Sequence, residues 1–252
     1  MEPTCTPPLY YKNIMITKLF KANSRGKADF GWLQANFSFS FGNYFNPERV
    51  QFGMLRVLND DTIDGGTGFG THSHDNMEII TIPLEGGLKH QDNMGNEGVI
   101  RFGEVQVMSA GTGIEHSEMN ASQIDQAKTL QLWVFPDKQD VKPRYDQKSF
   151  DIENQINTFV CIVSPKDKND GHALWVYQQT FFNLGIFKKD ATITYKVNIP
   201  ENGIYLFLIE GEIEVDNQIL RSRDAMEIID FKQFEIKINS KAKILLVEVP
   251  MK

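Results

Sequence analysis

Apolar residues fall in short runs or in alternation with polar ones along most of the chain. The segments 51–58, 78–84, 129–135, 205–209 and 244–249 show this most plainly. Turn residues cut the pattern every 8 to 12 residues or so, which predicts many short strands. Helical periodicity is weak throughout, and the predicted helices are two short ones, at 46–50 and 151–157. The expected fold class is all-β with little helix.

A polar stretch bounded by Pro136 and Pro143 interrupts the strands just past the middle, as a linker between two units would. An internal echo also points to two units. When Glu85-Gly86 is laid on Glu210-Gly211, each half shows an apolar strand, a Glu-Gly pair, and a second strand ending in Asp or Asn. A duplicated small barrel has this appearance. The expected organisation is an N-terminal unit over 1–137, a linker over 138–150 and a C-terminal unit over 151–252.

The 252 residues carry a net charge of −7, with acidic residues spread along the chain, which argues against a nucleic-acid partner. Cys5 and Cys161 lack the spacing of a redox or metal motif and suit a reducing compartment. The start of the chain has no basic-then-apolar signal pattern, and no apolar run nears the roughly 18 residues of a membrane span. These features predict a cytoplasmic protein without a membrane role.

Three of the five histidines fall in two short clusters. In Thr71-His72-Ser73-His74-Asp75-Asn76-Met77-Glu78, a regular strand would set His72, His74, Asn76 and Glu78 on one face. In Gly113-Ile114-Glu115-His116-Ser117-Glu118, His116 and Glu118 again have strand spacing. A lone His-x-His is as often a solvent-facing pair as a ligand pair. Here apolar strands follow the first cluster directly, and the second cluster repeats its spacing, so a metal site is expected. Three imidazoles and a carboxylate suit Fe(II), Mn, Co, Ni, Cu or Zn and leave coordination positions open.

The first cluster resembles the first cupin motif, from Gly66 through His72, His74 and Glu78 to Gly86. The second resembles the second cupin motif, from Gly103 through Gly111 and His116 to Asn120. The extended second motif, with Leu84-Glu85-Gly86-Gly87 and His90-Gln91-Asp92, resembles the pirin family, in particular its bacterial members with quercetin 2,3-dioxygenase activity. The likeness extends to Lys21-Ala22-Asn23-Ser24-Arg25-Gly26, Leu55-Arg56-Val57-Leu58-Asn59-Asp60-Asp61 and Lys142-Pro143-Arg144-Tyr145. Two features depart from the family pattern: Ser73, where proline commonly separates the histidines, and Asn36-Phe37, where Trp-His is frequent.

The resemblance implies a bicupin, two antiparallel β-barrels (double-stranded β-helices) packed face to face, with the metal in the first. It implies one divalent metal per chain, foremost Fe(II), held by His72, His74, His116 and Glu118. It further implies cleavage of a quercetin-like polyphenol with dioxygen and loss of carbon monoxide, with Glu118 or Glu78 as the base that deprotonates the substrate hydroxyl. Phe37 and His90 are the expected pocket residues.

Two other functions fit the same motifs. One is a non-enzymatic metal-binding regulator acting through a protein partner, as eukaryotic pirin does. The other is a cupin-type sugar-phosphate isomerase, which needs a basic phosphate site; Lys89 is the one basic residue near the motifs before Arg101. His172, in a turn-rich loop, is expected to be solvated. With no histidine after His172, the second barrel is expected to lack a metal site and to be filled by residues such as Tyr205, Phe207 and Ile209.

Overall fold

A computed structural model describes residues 15–252, so Cys5 lies outside the described residues. Among them are twenty-two strands, two single 3-10 turns (Ala22–Ser24 and Lys166–Lys168) and no α-helix. The first eleven strands are β1 (Ile16–Phe20), β2 (Gly26–Asp29), β3 (Leu33–Phe37), β4 (Leu55–Ile63), β5 (Gly68–His74), β6 (Glu78–Glu85), β7 (Gly87–Asp92), β8 (Glu97–Arg101), β9 (Glu104–Ser109), β10 (Ile114–Asn120) and β11 (Ala127–Val134). They are followed by β12 (Arg144–Ser149), β13 (Thr158–Pro165), β14 (Leu174–Val176), β15 (Phe181–Phe187), β16 (Thr192–Lys196), β17 (Gly203–Glu210), β18 (Glu212–Val215), β19 (Gln218–Arg221), β20 (Ala225–Ile229), β21 (Gln233–Ile238) and β22 (Ala242–Val249).

The strands form two barrels of like construction. In the first, a seven-stranded sheet ordered β12-β9-β6-β11-β4-β3-β2 faces a four-stranded sheet ordered β5-β10-β7-β8. In the second, β1-β20-β17-β22-β15-β13-β14 faces β16-β21-β18-β19. The central order β9-β6-β11-β4 of one barrel recurs as β20-β17-β22-β15 in the other. The Glu-Gly echo sits where this correspondence requires: β6 ends at Glu85 and β17 at Glu210. Gly86 and Gly211 follow with φ of 68° and 100°, a backbone region that glycine enters without steric cost.

The seven-stranded sheets pack against each other. Their shared core takes every second residue of the central strands, Ile80 and Ile82 from β6, Leu130 and Leu132 from β11, and Leu245 and Val247 from β22. Tyr205, Phe207 and Ile209 belong to this core between the barrels. The second barrel's interior is filled instead by the alternate residues of β17, Ile204, Leu206 and Leu208, with Ile213, Phe234 and Ile236. The expectation that Tyr205, Phe207 and Ile209 fill that barrel is therefore corrected by one residue of register. A strand this apolar on both faces carries no alternation to indicate which face turns inward.

Two further expectations change. Residues 46–50 and 151–157 form turns, not helices. Asn46 accepts the Glu48 N–H on its side chain and the Arg49 N–H on its carbonyl, and only Ile152 of the second stretch is buried, too little apolar surface to dock a helix. The segment 138–150, expected as a linker, contains β12, which pairs with β9 from Arg144↔Ser109 to Ser149↔Glu104 and so belongs to the first barrel. Reciprocally, β1 from the N-terminal half pairs with β20 of the second barrel. Each barrel thus has an edge strand drawn from outside its main run of chain, and the open edges of β9 and β20 are covered.

Candidate metal centre and cavity

The two histidine clusters meet because β5 and β10 are antiparallel neighbours, with His116 opposite His72 and Ile114 opposite His74. The ring centroids of His72, His74 and His116 lie 4.5 to 5.0 Å apart. One potential ligand atom from each falls within 4.8 Å of the others. A turn sets the position of β10. At Gly111, with φ of 50°, a Cβ would run into the Val141 carbonyl, which accepts the Thr112 N–H at 3.0 Å.

The proton positions fit a cation. His72 Nδ1 lies 2.8 Å from the Gly70 carbonyl, which can only accept, so Nδ1 carries the proton and Nε2 keeps its lone pair. His116 Nε2 is buried with no hydrogen-bond partner. Burial, with His72 next to it, pushes His74 down to about 4. Burial with His72, His74 and His90 around it pushes His116 down to about 3. Both imidazoles are therefore neutral near pH 7, the form that binds metal.

Glu118 follows His116 on the same inward face of β10, and it stands outside the 4.8 Å cluster. Its oxygens accept hydrogen bonds from Thr81 Oγ1 at 3.3 Å and Gln131 Nε2 at 2.6 Å. Burial raises its pKa above the usual carboxylate range. The Gln131 amide is oriented in turn by Trp133, whose Nε1 donates to Gln131 Oε1 at 3.2 Å and whose ring meets His74 edge-on at 4.9 Å.

Glu78 goes elsewhere. The face expected to hold His72, His74, Asn76 and Glu78 is broken because β5 ends at His74. Asn76 then turns with φ of 42°, its side-chain oxygen accepting the Asp140 N–H. Glu78 opens β6 on the side of Ile80 and Ile82, toward the second barrel, where it accepts from Ser109 Oγ at 2.7 Å. Burial pushes it up to about 7. His90 is also no lining residue: it is fully buried behind His116. His172 is exposed, as expected.

His72 and His74 open on a cavity of about 830 Å³, with His116 buried behind them. Phe37 lines it, and its ring lies 5.5 Å from that of Phe41. Phe39, between them, turns into the inter-barrel core against Tyr205. Trp32, Tyr44, Phe69 and Trp133 complete an aromatic wall, and Asn59, Asp61, Glu118 and Gln131 supply a polar part of the lining.

The Pirin family model matches residues 20–134, and that of the Quercetinase C-terminal cupin domain matches residues 161–249. A protein of Escherichia coli K12 named quercetin 2,3-dioxygenase is 38 % identical over 232 residues, 92 % of this chain and 98 % of its own length. The chain belongs to the pirin family. A pirin-like protein of Caulobacter vibrioides is 37 % identical over 88 % of this chain and 95 % of its own. The crystal structure of YhhW from Escherichia coli overlays with a TM-score of 0.88 at 37 % identity, covering 93 % of this chain and 98 % of that one. A structure of bacterial pirin YhhW in complex with nickel(II) gives 0.87 at 36 % identity, covering 93 % and 99 %.

In this pirin-family chain, Asn59, Asp61, Gln131 and Trp133 are site residues that the motifs do not indicate. Asp61 is 4 % exposed, Oδ1 has no hydrogen-bond partner, and burial, with Asp60 and Glu118 nearby, pushes it up to about 8. One signal was available. Asn59 and Asp61 are polar at a spacing of two just before Ile63, so extending the predicted strand past Leu58 would have placed both on the inner face of β4.

Proposed function

We propose that His72, His74 and His116, with Glu118, hold one divalent transition metal, foremost Fe(II), and that the protein cleaves quercetin-like flavonols with dioxygen. The observation that carries this reading is the convergence of three imidazoles, one with a buried unpartnered nitrogen and two lining a large aromatic-walled cavity. The names of the relatives, quercetin 2,3-dioxygenase among them, support the choice of substrate class.

A bound divalent ion would supply a Lewis-acidic centre with positions left open for a hydroxyl-bearing substrate and dioxygen. The aromatic wall suits a flat polyphenol, taking its rings edge-on or offset and excluding water around it. Glu118 accepts the proton of the substrate hydroxyl, a role suited to a carboxylate whose pKa burial has raised. Gln131 and Thr81 hold that carboxylate in place through the exchange. Asp61, protonated near neutral pH, presents a hydrogen-bond donor to an oxygen of the ligand. Glu78 has no part in proton transfer, since it faces the other barrel.

The test is oxygen uptake with aerobic loss of quercetin absorbance, after loading with Fe(II), Mn, Co, Ni and Cu in turn. Metal-dependent turnover, abolished in His74→Ala together with metal retention, is expected. Absence of turnover with every metal would reject the dioxygenase reading.

A further inference from the structure

Behind His116 the first barrel holds a second imidazole that does not line the cavity. His90 lies on β7, which pairs with β10 so that His90 is opposite Glu118 and Asp92 is opposite His116. Its Nδ1 is 3.4 Å from His116 Nδ1, and its Nε2 is 3.2 Å from Asp92 Oδ2. The side chains of His90 and Asp92 are both fully buried. Tyr145 of β12 stacks on the His90 ring at 4.5 Å and 25°, fixing its plane.

These contacts determine which nitrogens carry protons. Besides His90, Asp92 faces only donors: the backbone N–H groups of Met94 and Asn96 and the Asn96 side-chain amide, at 2.8 to 3.0 Å. A carboxylate so placed only accepts, so His90 bears its proton on Nε2. With its single proton on Nε2, His90 offers a lone pair at Nδ1, and the facing Nδ1 of His116 has to donate. That leaves the lone pair of His116 on Nε2, the buried atom without a partner. The reverse wiring would put a proton on His116 Nε2, a buried donor with no acceptor, and would need either a doubly protonated His90 or a lone pair of His90 turned on the Asp92 carboxylate.

We propose that Asp92 and His90 form a relay that sets the tautomer of His116 and aims its lone pair at the metal site. They are positioning residues for ion retention, and the proposal rests on the reading of the three imidazoles as that site. Partners of this kind typically change metal affinity by about 10- to 100-fold. Phe in place of His90 keeps an aromatic ring on Tyr145 and removes the acceptor. Asn in place of Asp92 offers His90 Nε2 a donor, which inverts the wiring along the relay.

Two measurements on the full chain test it. In metal-free wild-type protein with 15N-labelled histidine, long-range 1H–15N spectra near pH 7.5 should show His90 protonated on Nε2 and His116 on Nδ1; His116 protonated on Nε2 would overturn the proposal. In the second, zinc affinity is measured by chelator competition, and Asp92→Asn and His90→Phe, checked for unchanged thermal unfolding of the metal-free form, should bind about 10- to 100-fold more weakly. Tight zinc binding by wild type that is unchanged in both variants would overturn the relay alone. Failure of wild type to bind zinc would overturn the metal reading and the relay's role with it.

Discussion

Ser109 donates a 2.7 Å hydrogen bond to Glu78 across the paired strands β9 and β6, on the face that looks toward the second barrel. Three residues on, Thr81 points into the first barrel and donates to Glu118. One strand thus separates the two carboxylates expected at the site, and only Glu118 shares a cavity with His72 and His74. Glu118→Gln is therefore expected to lower ion retention about tenfold or more, while Glu78→Gln leaves it unchanged. Metal content after dialysis against a chelator decides between them, and loss in Glu78→Gln alone would reverse the assignment.

Glu78 should instead set a pH dependence of stability. Its folded pKa is raised from 4.5 to about 7, chiefly by burial. A raised folded value means that the stabilising form is fully present below pH 4.5 and is lost as pH rises through 7. Glu78→Gln removes that loss. The variant should be more stable than wild type at pH 8 by on the order of 1–3 kcal/mol, with the difference closing by about pH 5. Urea midpoints at the two pH values measure it; equal midpoints at pH 8 would show that the carboxylate is accommodated as a charge.

The strands, their turns and the duplication were legible because apolar runs bounded by Gly, Asn and Pro leave little choice of local structure. The convergence of the three imidazoles was legible because side chains two residues apart on neighbouring strands need only the right pairing, here His72 opposite His116. Pairing and facing were not legible where sequence carries no alternation. β17 is apolar on both sides, so nothing in it distinguishes Phe207 from Leu206. The turn at Asn76 reverses the facing of Glu78, and a motif that continues across the turn hides this. The 138–150 segment reads as polar linker because edge strand β12 exposes much of its surface; its function as the strand that lays Tyr145 on His90 appears only in three dimensions.

Ala35 offers a test of the cavity that leaves the ligands in place. It lies on β3 opposite Asp61, is 3 % exposed and lines the cavity wall. Phe at this position would project into the space assigned to the flavonol. Ala35→Phe should weaken quercetin binding at least about tenfold, the equivalent of about 1.4 kcal/mol, with metal content unchanged. Quenching of Trp32 and Trp133, both lining the cavity, gives a direct readout. Unchanged quenching affinity would place the flavonol elsewhere.

The second barrel should take no part in ion binding. In its four-stranded sheet, β16 and β21 occupy the places of β5 and β10, and they set Tyr195 opposite Phe234 and Ile193 opposite Ile236. A carboxylate buried in it, Glu248, is saturated: Tyr195 Oη, the backbone N–H groups of Asn198 and Ile199, and the Asn198 and Asn202 side chains all donate to it. Leu206, fully buried beside these residues' barrel core, packs rather than reacts. Leu206→Ala should cost about 2–5 kcal/mol of stability through the cavity it leaves, and the ion count should stay at one per chain. Metal analysis of the folded variant beside its urea midpoint separates the two effects. Two tightly bound ions in wild type, or loss of the single ion in folded Leu206→Ala, would show that the second barrel contributes to the centre.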